Sequence, residues 1–263
     1  MAVLLDAAWK LGDLSLQTKA LQTLETMDSA ARSGSFSHVY SEQGPSDVPA
    51  FFTDWAWLLT ALVQAHGNTA AEGYLERAVA VAQIMVDGFF DQKAGGFFDI
   101  EDQPDGIGHL QIKEKVLADN TVAAQALIRL HQTTRNADYR QIAEATLSAF
   151  VETFREQGEF AAHYGLTVHL LNNDLVEVTV EGKPGNARCQ ALLAAAVRLP
   201  QPNLDIKTIV AAAGDSIAPA HVCLDTVCLP PVDTAAELAE AVAGLTKQQE
   251  SPFQDIFRVF PGA

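Results

Sequence analysis

Residues 54–89 of this chain recur at 119–154. With an offset of 65, Asp54, Ala61, Leu62, His66, Tyr74, Ala78, Ala80, Val86 and Phe89 fall on Asp119, Ala126, Leu127, His131, Tyr139, Ala143, Ala145, Val151 and Phe154, nine identities without a gap. Self-similarity at a fixed period marks stacked supersecondary units, none of which buries its apolar face until a neighbour covers it. The repeat therefore limits the fold to arrays of like units, and each copy reads as two helices.

The helices are of two kinds. From Leu75 the apolar positions run Leu75, Ala78, Val79, Ala82, Met85, Val86 and Phe89, a one-sided stripe with Glu76, Arg77, Gln83 and Asp87 opposite. Its counterpart runs Tyr139, Ile142, Ala143, Leu147, Phe150 and Phe154. The segment Thr53 to His66 instead carries Trp55, Trp57, Leu58, Leu59, Ala61, Leu62 and Val63 around most of its circumference, as does Val122 to Leu130, so these helices are packed on several sides. Inner helices apolar all round, alternating with outer helices apolar on one face, suit an α/α toroid, and a solenoid of helix pairs would read similarly. Val3 to Leu11 followed by Leu14 to Ala31 fits a first, less regular pair, and Ala161 to Leu171 reads as a seventh helix.

Inner-to-outer links are short, with Thr69 and Glu72 spaced as a capping box and Asn136 placed to open the later outer helix. Outer-to-inner links are long. Ser33 to Phe52 and Asp91 to Ala118 are rich in Gly, Pro, Asp and aromatics, and loops of that length in a compact domain usually carry function. Both end at the start of an inner helix and so converge on one mouth. After Asn173 the periodicity changes. Val176, Val178 and Val180 alternate with polar residues as in a half-buried strand, Ala187 to Leu199 is helical, Ile206 to Ala211 and His221 to Leu224 read as strands, and Thr234 to Leu245 is a helix. The chain is thus expected to be mostly α, an incomplete toroid of about three hairpins over 1–173 with a small α/β element over 174–263. Gly182, Pro184 and Gly185 read as a connecting turn, since they lack the G-x-G-x-x-G pattern of a phosphate cradle.

A net charge of −16 repels phosphate backbones and anionic lipid, which argues against nucleic acid and membrane as partners. The apolar start Met1 to Leu11 carries Asp6 and lacks a basic n-region, so neither a signal peptide nor a span is expected. Three cysteines, Cys189, Cys223 and Cys228, are too few for a disulfide framework and suit a reducing, cytoplasmic setting with buried or idle thiols, while the sequence leaves open whether Cys223 and Cys228 ever pair. Cys223 and Cys228 have neither redox nor zinc-knuckle spacing, so no metal and no cofactor is expected.

Asp54 and Asp119 share one place in the repeat, at the start of an inner helix, where a carboxylate ordinarily caps free N–H groups and favours the helix dipole. Asp119 is the stronger candidate for chemistry, because Glu114 and Asn120 flank it and the longest loop leads to it. Two carboxylates can serve as general acid and base toward a sugar. His66 and His131 fall at helix C-termini, where capping accounts for them. His38, flanked by Phe36 and Tyr40, together with His109 and His163, is better placed to move protons near neutral pH. Trp55 and Trp57, two apart on a helix, cannot share a face, so at most one looks into a cavity. The acidic run Asp99, Glu101, Asp102 and Asp105 lacks the closing Glu of a calcium loop and reads as a solvated loop.

Gly95-Gly96-Phe97-Phe98-Asp99, Glu114-Lys115, Asp119-Asn120, Tyr164-Gly165-Leu166, Val176 to Gly182 and Cys223 through Cys228-Leu229-Pro230-Pro231-Val232-Asp233 together resemble the C-terminal part of the thioredoxin-domain-containing family related to spermatogenesis-associated protein. The resemblance runs over nearly the whole chain. It implies part of a six-hairpin toroid similar to N-acylglucosamine epimerases and six-hairpin glycosidases, with sugar-handling acids, histidines and aromatics at the mouth. On that basis Asp119, Glu114, Asp54, His38 and His163 are the acid–base candidates, and Trp55, Trp57, Tyr40, Phe97 and Asn120 the ligand-binding ones. The chain lacks the family's thioredoxin-like region and the first half of its toroid. Exposed inner helices imply a homodimer or a separately encoded partner that completes the ring, unless the half ring closes on its own α/β element. The leading expectation is a sugar-processing domain. A non-catalytic interaction module, working with a thioredoxin-like partner, is the competing one.

Overall fold

The computed structural model describes all residues except 12, 35, 103–107, 109–111, 183–185, 210–218, 225–226 and 247–263. The fold is mostly α with a small C-terminal strand element. One compact unit covers Met1–Leu171 and a second begins at Asn172.

The first unit holds three helical hairpins: α1 (Ala2–Leu11) with α2 (Leu14–Arg32), α3 (Phe52–Thr69) with α4 (Glu72–Phe89), and α5 (Leu117–Thr134) with α6 (Ala137–Ser148). Helix α3 packs between α1 and α5, while α2, α4 and α6 each lie chiefly against their own partner, which makes an inner and an outer layer. The division follows the patterning. Helix α5 buries nine residues, from Asn120 to Leu130, distributed around its circumference, whereas α4 buries the single stripe Ala78, Val81, Ala82, Met85 and Phe89. In the outer layer Arg77 of α4 sets its Nε 2.9 Å from Oδ2 of Asp28, a buried residue of α2.

The repeat persists in hydrogen-bonding detail. Helices α3 and α5 begin and end 65 residues apart, and each closes on a left-handed residue, Ala70 (φ 54°) or Arg135 (φ 59°), whose N–H donates to the carbonyl of His66 or His131 at 2.7 Å. A left-handed conformation at this position normally selects glycine. The exposed Ala70→Gly substitution is accordingly expected to stabilise the chain by about 0.5–1 kcal/mol, read as a higher urea midpoint.

Two local readings are corrected. Thr69 and Glu72 form no capping box: Thr69 is the last residue of α3 and its hydroxyl donates to Ala65 O at 2.7 Å, while the N-cap of α4 is Ala71, which has no side-chain cap to offer. Asn136 does cap α6, accepting from Asp138 N. The apolar stripe reaching Phe154 is not one helix. Helix α6 ends at Ser148 because the Leu147 carbonyl is taken by the Tyr164 hydroxyl at 2.9 Å and by Phe150 N, and a 3-10 helix follows over Phe154–Ala161. Helix α7 (Ala162–Asn172) then carries Tyr164, whose ring stacks on Phe154.

The first unit also holds the short hairpin of β1 (Tyr40–Ser41) and β2 (Gly44–Pro45); the second unit is a mixed sheet of β3 (Val176–Glu181), β4 (Leu204–Ile209), β5 (Ala220–Leu224) and β6 (Val227–Cys228) in the order β4-β3-β5-β6, with α8 (Ala187–Val197) and α9 (Ala235–Thr246) packed on it. Strand β3 pairs in parallel with β4 after the α8 crossover, and antiparallel with β5. The core holds Val176, Val178, Val180 and Val222 beneath Cys189, Leu192, Leu238 and Val242.

The expectation of buried or idle thiols fails for two of the three cysteines. Cys223 and Cys228 form a disulfide, while Cys189 is free and buried. The reason lies in a strand that composition did not reveal: β6 (Val227–Cys228) returns along β5 with Cys223 opposite Cys228. Spacing that is wrong for a helical dithiol turn is right for a cross-strand pair in a hairpin. Of the Gly182 turn, Pro184 and Gly185 lie outside the described residues.

Candidate functional site at the mouth of the inner helices

The two long loops meet at the N-termini of α3 and α5, and Asp99 ties them together. Its carbonyl accepts from Phe52 N at 2.9 Å, its N–H donates to Glu114 O at 2.8 Å, and its Oδ1 accepts from Glu114 N at 2.8 Å. Asp99 is therefore a structural junction, not part of a solvated acidic run. Glu114 takes part through its backbone, and its residue is exposed.

Upstream of Asp99 the chain folds back on itself. Asp91 N donates to Gly96 O and Phe98 N to Phe89 O, both at 2.9 Å. Lys115 locks this turn, its Nζ reaching Asp91 Oδ2 at 2.8 Å and Gly95 O at 2.6 Å. That ammonium, with the N–H groups of Lys93 and Ala94, holds the Asp91 carboxyl down at about 2. Phe97, fully buried, stacks on Phe52 with centroids 4.8 Å apart. Asn120, also buried, accepts from Phe97 N at 2.6 Å and donates to Phe97 O at 3.0 Å and Val116 O at 2.9 Å. Two of the five residues expected to touch a ligand, Phe97 and Asn120, are thus occupied in holding the loop against α5.

Above this floor stand the repeat-related carboxylates. Asp54 Oδ2 accepts from Phe51 N at 2.8 Å and lies 2.9 Å from His38 Nδ1. An ionised carboxylate can only accept, so when Asp54 is ionised this contact places a proton on Nδ1, and in the neutral tautomer with that proton the lone pair falls on Nε2. Phe51 packs on the imidazole with centroids 4.6 Å apart. The loop that presents His38 is gathered around buried Ser37, whose hydroxyl lies within 3.1 Å of Val39 O, Ser46 O, Ser46 Oγ and Val48 O.

Asp119 has different surroundings. Its Oδ1 accepts from the Thr53 hydroxyl of the preceding hairpin at 2.9 Å. Burial pushes its carboxyl above the ordinary range, the Thr53 bond opposes this, and the nearby charges of Asp54 and Asp99 add to it. Thr53 is a member of the site that the sequence did not single out, and Asp99 is another, read from sequence only as part of a solvated loop. The repeat pointed to Asp119, but nothing in it marks Thr53 as the donor.

His163 is not drawn into this group. Its Nε2 lies 3.1 Å from Gln125 Oε1, six residues beyond Asp119 and so about 9 Å farther along α5, and burial lowers its pKa. Of the tryptophans, Trp55 packs edge-on to Phe36 and Trp57 is 46% exposed, so the pair is divided between core and surface. Tyr40 belongs to a short hairpin, Tyr40–Ser41 with Gly44–Pro45, and borders a shallow depression with Gln22, Thr23, Thr26 and Met27 of α2. His109 and Asp105 lie outside the described residues. His66 and His131 set Nδ1 against Ala71 O and Asn136 O, at the helix ends remote from the mouth. Among the described residues no group of His, Cys, Asp and Glu is arranged to hold a metal ion, and no helix is long and apolar enough to cross a membrane.

No family model matches the chain. It is 25% identical over 178 residues to spermatogenesis-associated protein 20 of Mus musculus, covering 66% of this chain and 22% of that protein. The Rattus norvegicus protein of the same name gives the same identity and coverage. An uncharacterised protein of Caenorhabditis elegans is 27% identical over 103 residues, 38% of this chain and 14% of that one. The chain thus aligns with about a fifth of the length of its mammalian relatives, and these similarities relate it distantly to spermatogenesis-associated protein 20.

Proposed function

We propose that the helical unit is part of an α/α toroid that binds a small polyhydroxylated ligand of the sugar class at its mouth and acts on it by acid–base chemistry. The carrying observation is the contrast between two carboxylates at equivalent repeat positions. Asp54 is engaged by an imidazole and a backbone N–H, whereas Asp119 is half-buried beside other carboxylates with its pKa raised. A carboxyl whose pKa is raised by burial suits a proton donor better than an ordinary one, and an imidazole oriented by a carboxylate suits an acceptor. Asp119 is the donor in this reading and His38, positioned by Asp54, the acceptor.

Asp119→Asn separates chemistry from architecture. Because the folded state raises this pKa, the native chain binds more protons than the unfolded one just above the ordinary Asp value, and stability falls as pH rises through that window. The amide removes the cost of burying the charge and can still accept from Thr53, so the variant should be at least as stable as the parent at pH 7 with a flatter pH profile. Binding and turnover of a panel of neutral and N-acylated monosaccharides, followed by calorimetry and NMR, should fall about 100-fold or more. A variant that handles every sugar as the parent does, or a parent that engages none of them, would overturn the reading.

The exposure of Trp57 on inner helix α3 favours a second reading, a docking module completed by another copy or a separate chain. Light scattering of the isolated chain addresses it, with twice the chain mass expected for a homodimer.

A further inference from the structure

The cross-strand disulfide of the second unit lies outside the mouth and its chemistry. Val222 is buried in the core and Leu224 packs against it, so Cys223 between them points to the opposite face of the sheet from α8 and α9. On β3 its register partner is Glu177. Cys228 is exposed on β6, an edge strand of two residues, while Cys223 is half-buried. Cys228 is thus the more solvent-accessible residue of the pair.

The hairpin does not depend on this bond. The cysteines are five apart in sequence, and a crosslink constrains the unfolded chain least when its loop is short. Backbone bonds close the hairpin independently: Leu229 N donates to Val222 O at 2.9 Å, and Ala220 and Val232 exchange both N–H to carbonyl bonds at 2.8 Å. The Arg188 guanidinium bonds Asp233 Oδ1 at 2.7 Å and Asp233 O at 3.1 Å, anchoring the segment beyond β6 to α8. A bond that adds little to a fold already held, with one of its residues exposed on an edge strand, has the features of an exchangeable disulfide.

We propose that Cys223–Cys228 is a reversible two-electron centre that exchanges with dithiols. A thiolate of the dithiol attacks Cys228 Sγ, the S–S bond breaks, and Cys223 leaves with the electron pair and takes up a proton. The second thiolate of the dithiol attacks the mixed disulfide and releases Cys228, which is protonated in turn. The dithiol becomes a disulfide, the protein gains two thiols, and the two protons of the dithiol balance those taken up.

The test uses the full oxidised chain in native buffer, titrated with dithiothreitol redox mixtures, trapped with a maleimide reagent and followed by mass spectrometry and circular dichroism. Reduction should expose two reactive thiols at Cys223 and Cys228, leave buried Cys189 unreacted, preserve the spectrum and reverse with oxidised dithiothreitol. Reduction only in denaturant, collapse of the spectrum on reduction, or failure of the pair to form under oxidising conditions would each overturn the proposal. The direction of attack is read with a monothiol: reduced glutathione added to the oxidised chain and quenched early by acid should leave its adduct on Cys228 about tenfold more often than on Cys223, as located by peptide mass spectrometry. Equal amounts of adduct on the two would refute the assignment of Cys228 as the attacked sulfur.

Discussion

Gly95→Ala should destabilise the helical unit by about 2–5 kcal/mol and disorganise the mouth, the largest effect expected of any single methyl group added to this chain. Two costs combine. Gly95 has φ +71°, a region that disfavours an L side chain, and a Cβ there would lie 2.3 Å from Ala145 O and 2.9 Å from Ala145 C of α6. Backbone cannot yield as the end of a flexible side chain can, so either the turn lifts off α6 or α6 moves. Gly34 separates the two costs, because it has φ +73° with nothing within 4 Å of its virtual Cβ. Gly34→Ala should lose only about 1–2 kcal/mol. Urea midpoints for the two variants give the difference, and similar losses would show that the approach to Ala145 is unimportant.

Asn120→Leu is the second large effect, about 2–4 kcal/mol at nearly constant side-chain size. Asn120 is 1% exposed, and its amide serves both backbone groups of Phe97. Leucine would leave a buried N–H and a buried carbonyl without that partner, whereas Val116 O would still accept from the backbone N–H of residue 120 at 3.0 Å. Amide exchange should show the loss locally, with the Phe97 N–H exchanging much faster than the amides of α4. Retained protection at Phe97 would mean that the loop stays in place without the amide.

These two residues show where sequence reading succeeds and where it stops. Periodicity is a local property, so it identified the hairpins and their inner and outer character, and the offset of 65 reappears in the bounds of α3 and α5. Caps and crosslinks depend on neighbours in space. Thr69 carries a capping residue's chemistry but ends the previous helix, and the cysteines look mismatched until the register of β5 and β6 is known. At the site, the glycine pair and Asn120 stand out as motifs, but their purpose depends on contacts from Gly95 to Ala145 and from Asn120 to Phe97 that no spacing rule conveys. Thr53 is bound to a carboxylate 66 residues away, and a lone threonine gives no sign of that.

The Thr53 bond also gives the array a direction. Each hairpin of a translational series presents unlike edges to its two neighbours, as in a head-to-tail interface. Thr53 on α3 donates the hydrogen bond that Asp119 accepts on the next inner helix. One period on, the place of Thr53 is taken by Ala118, which has no hydroxyl, so the relay does not pass beyond α5. Asp54, in turn, looks to a loop imidazole instead of an earlier hairpin. The Thr53 link thus belongs to the step from α3 to α5, and a hairpin seated on the far side of α5 would have to bring its own donor.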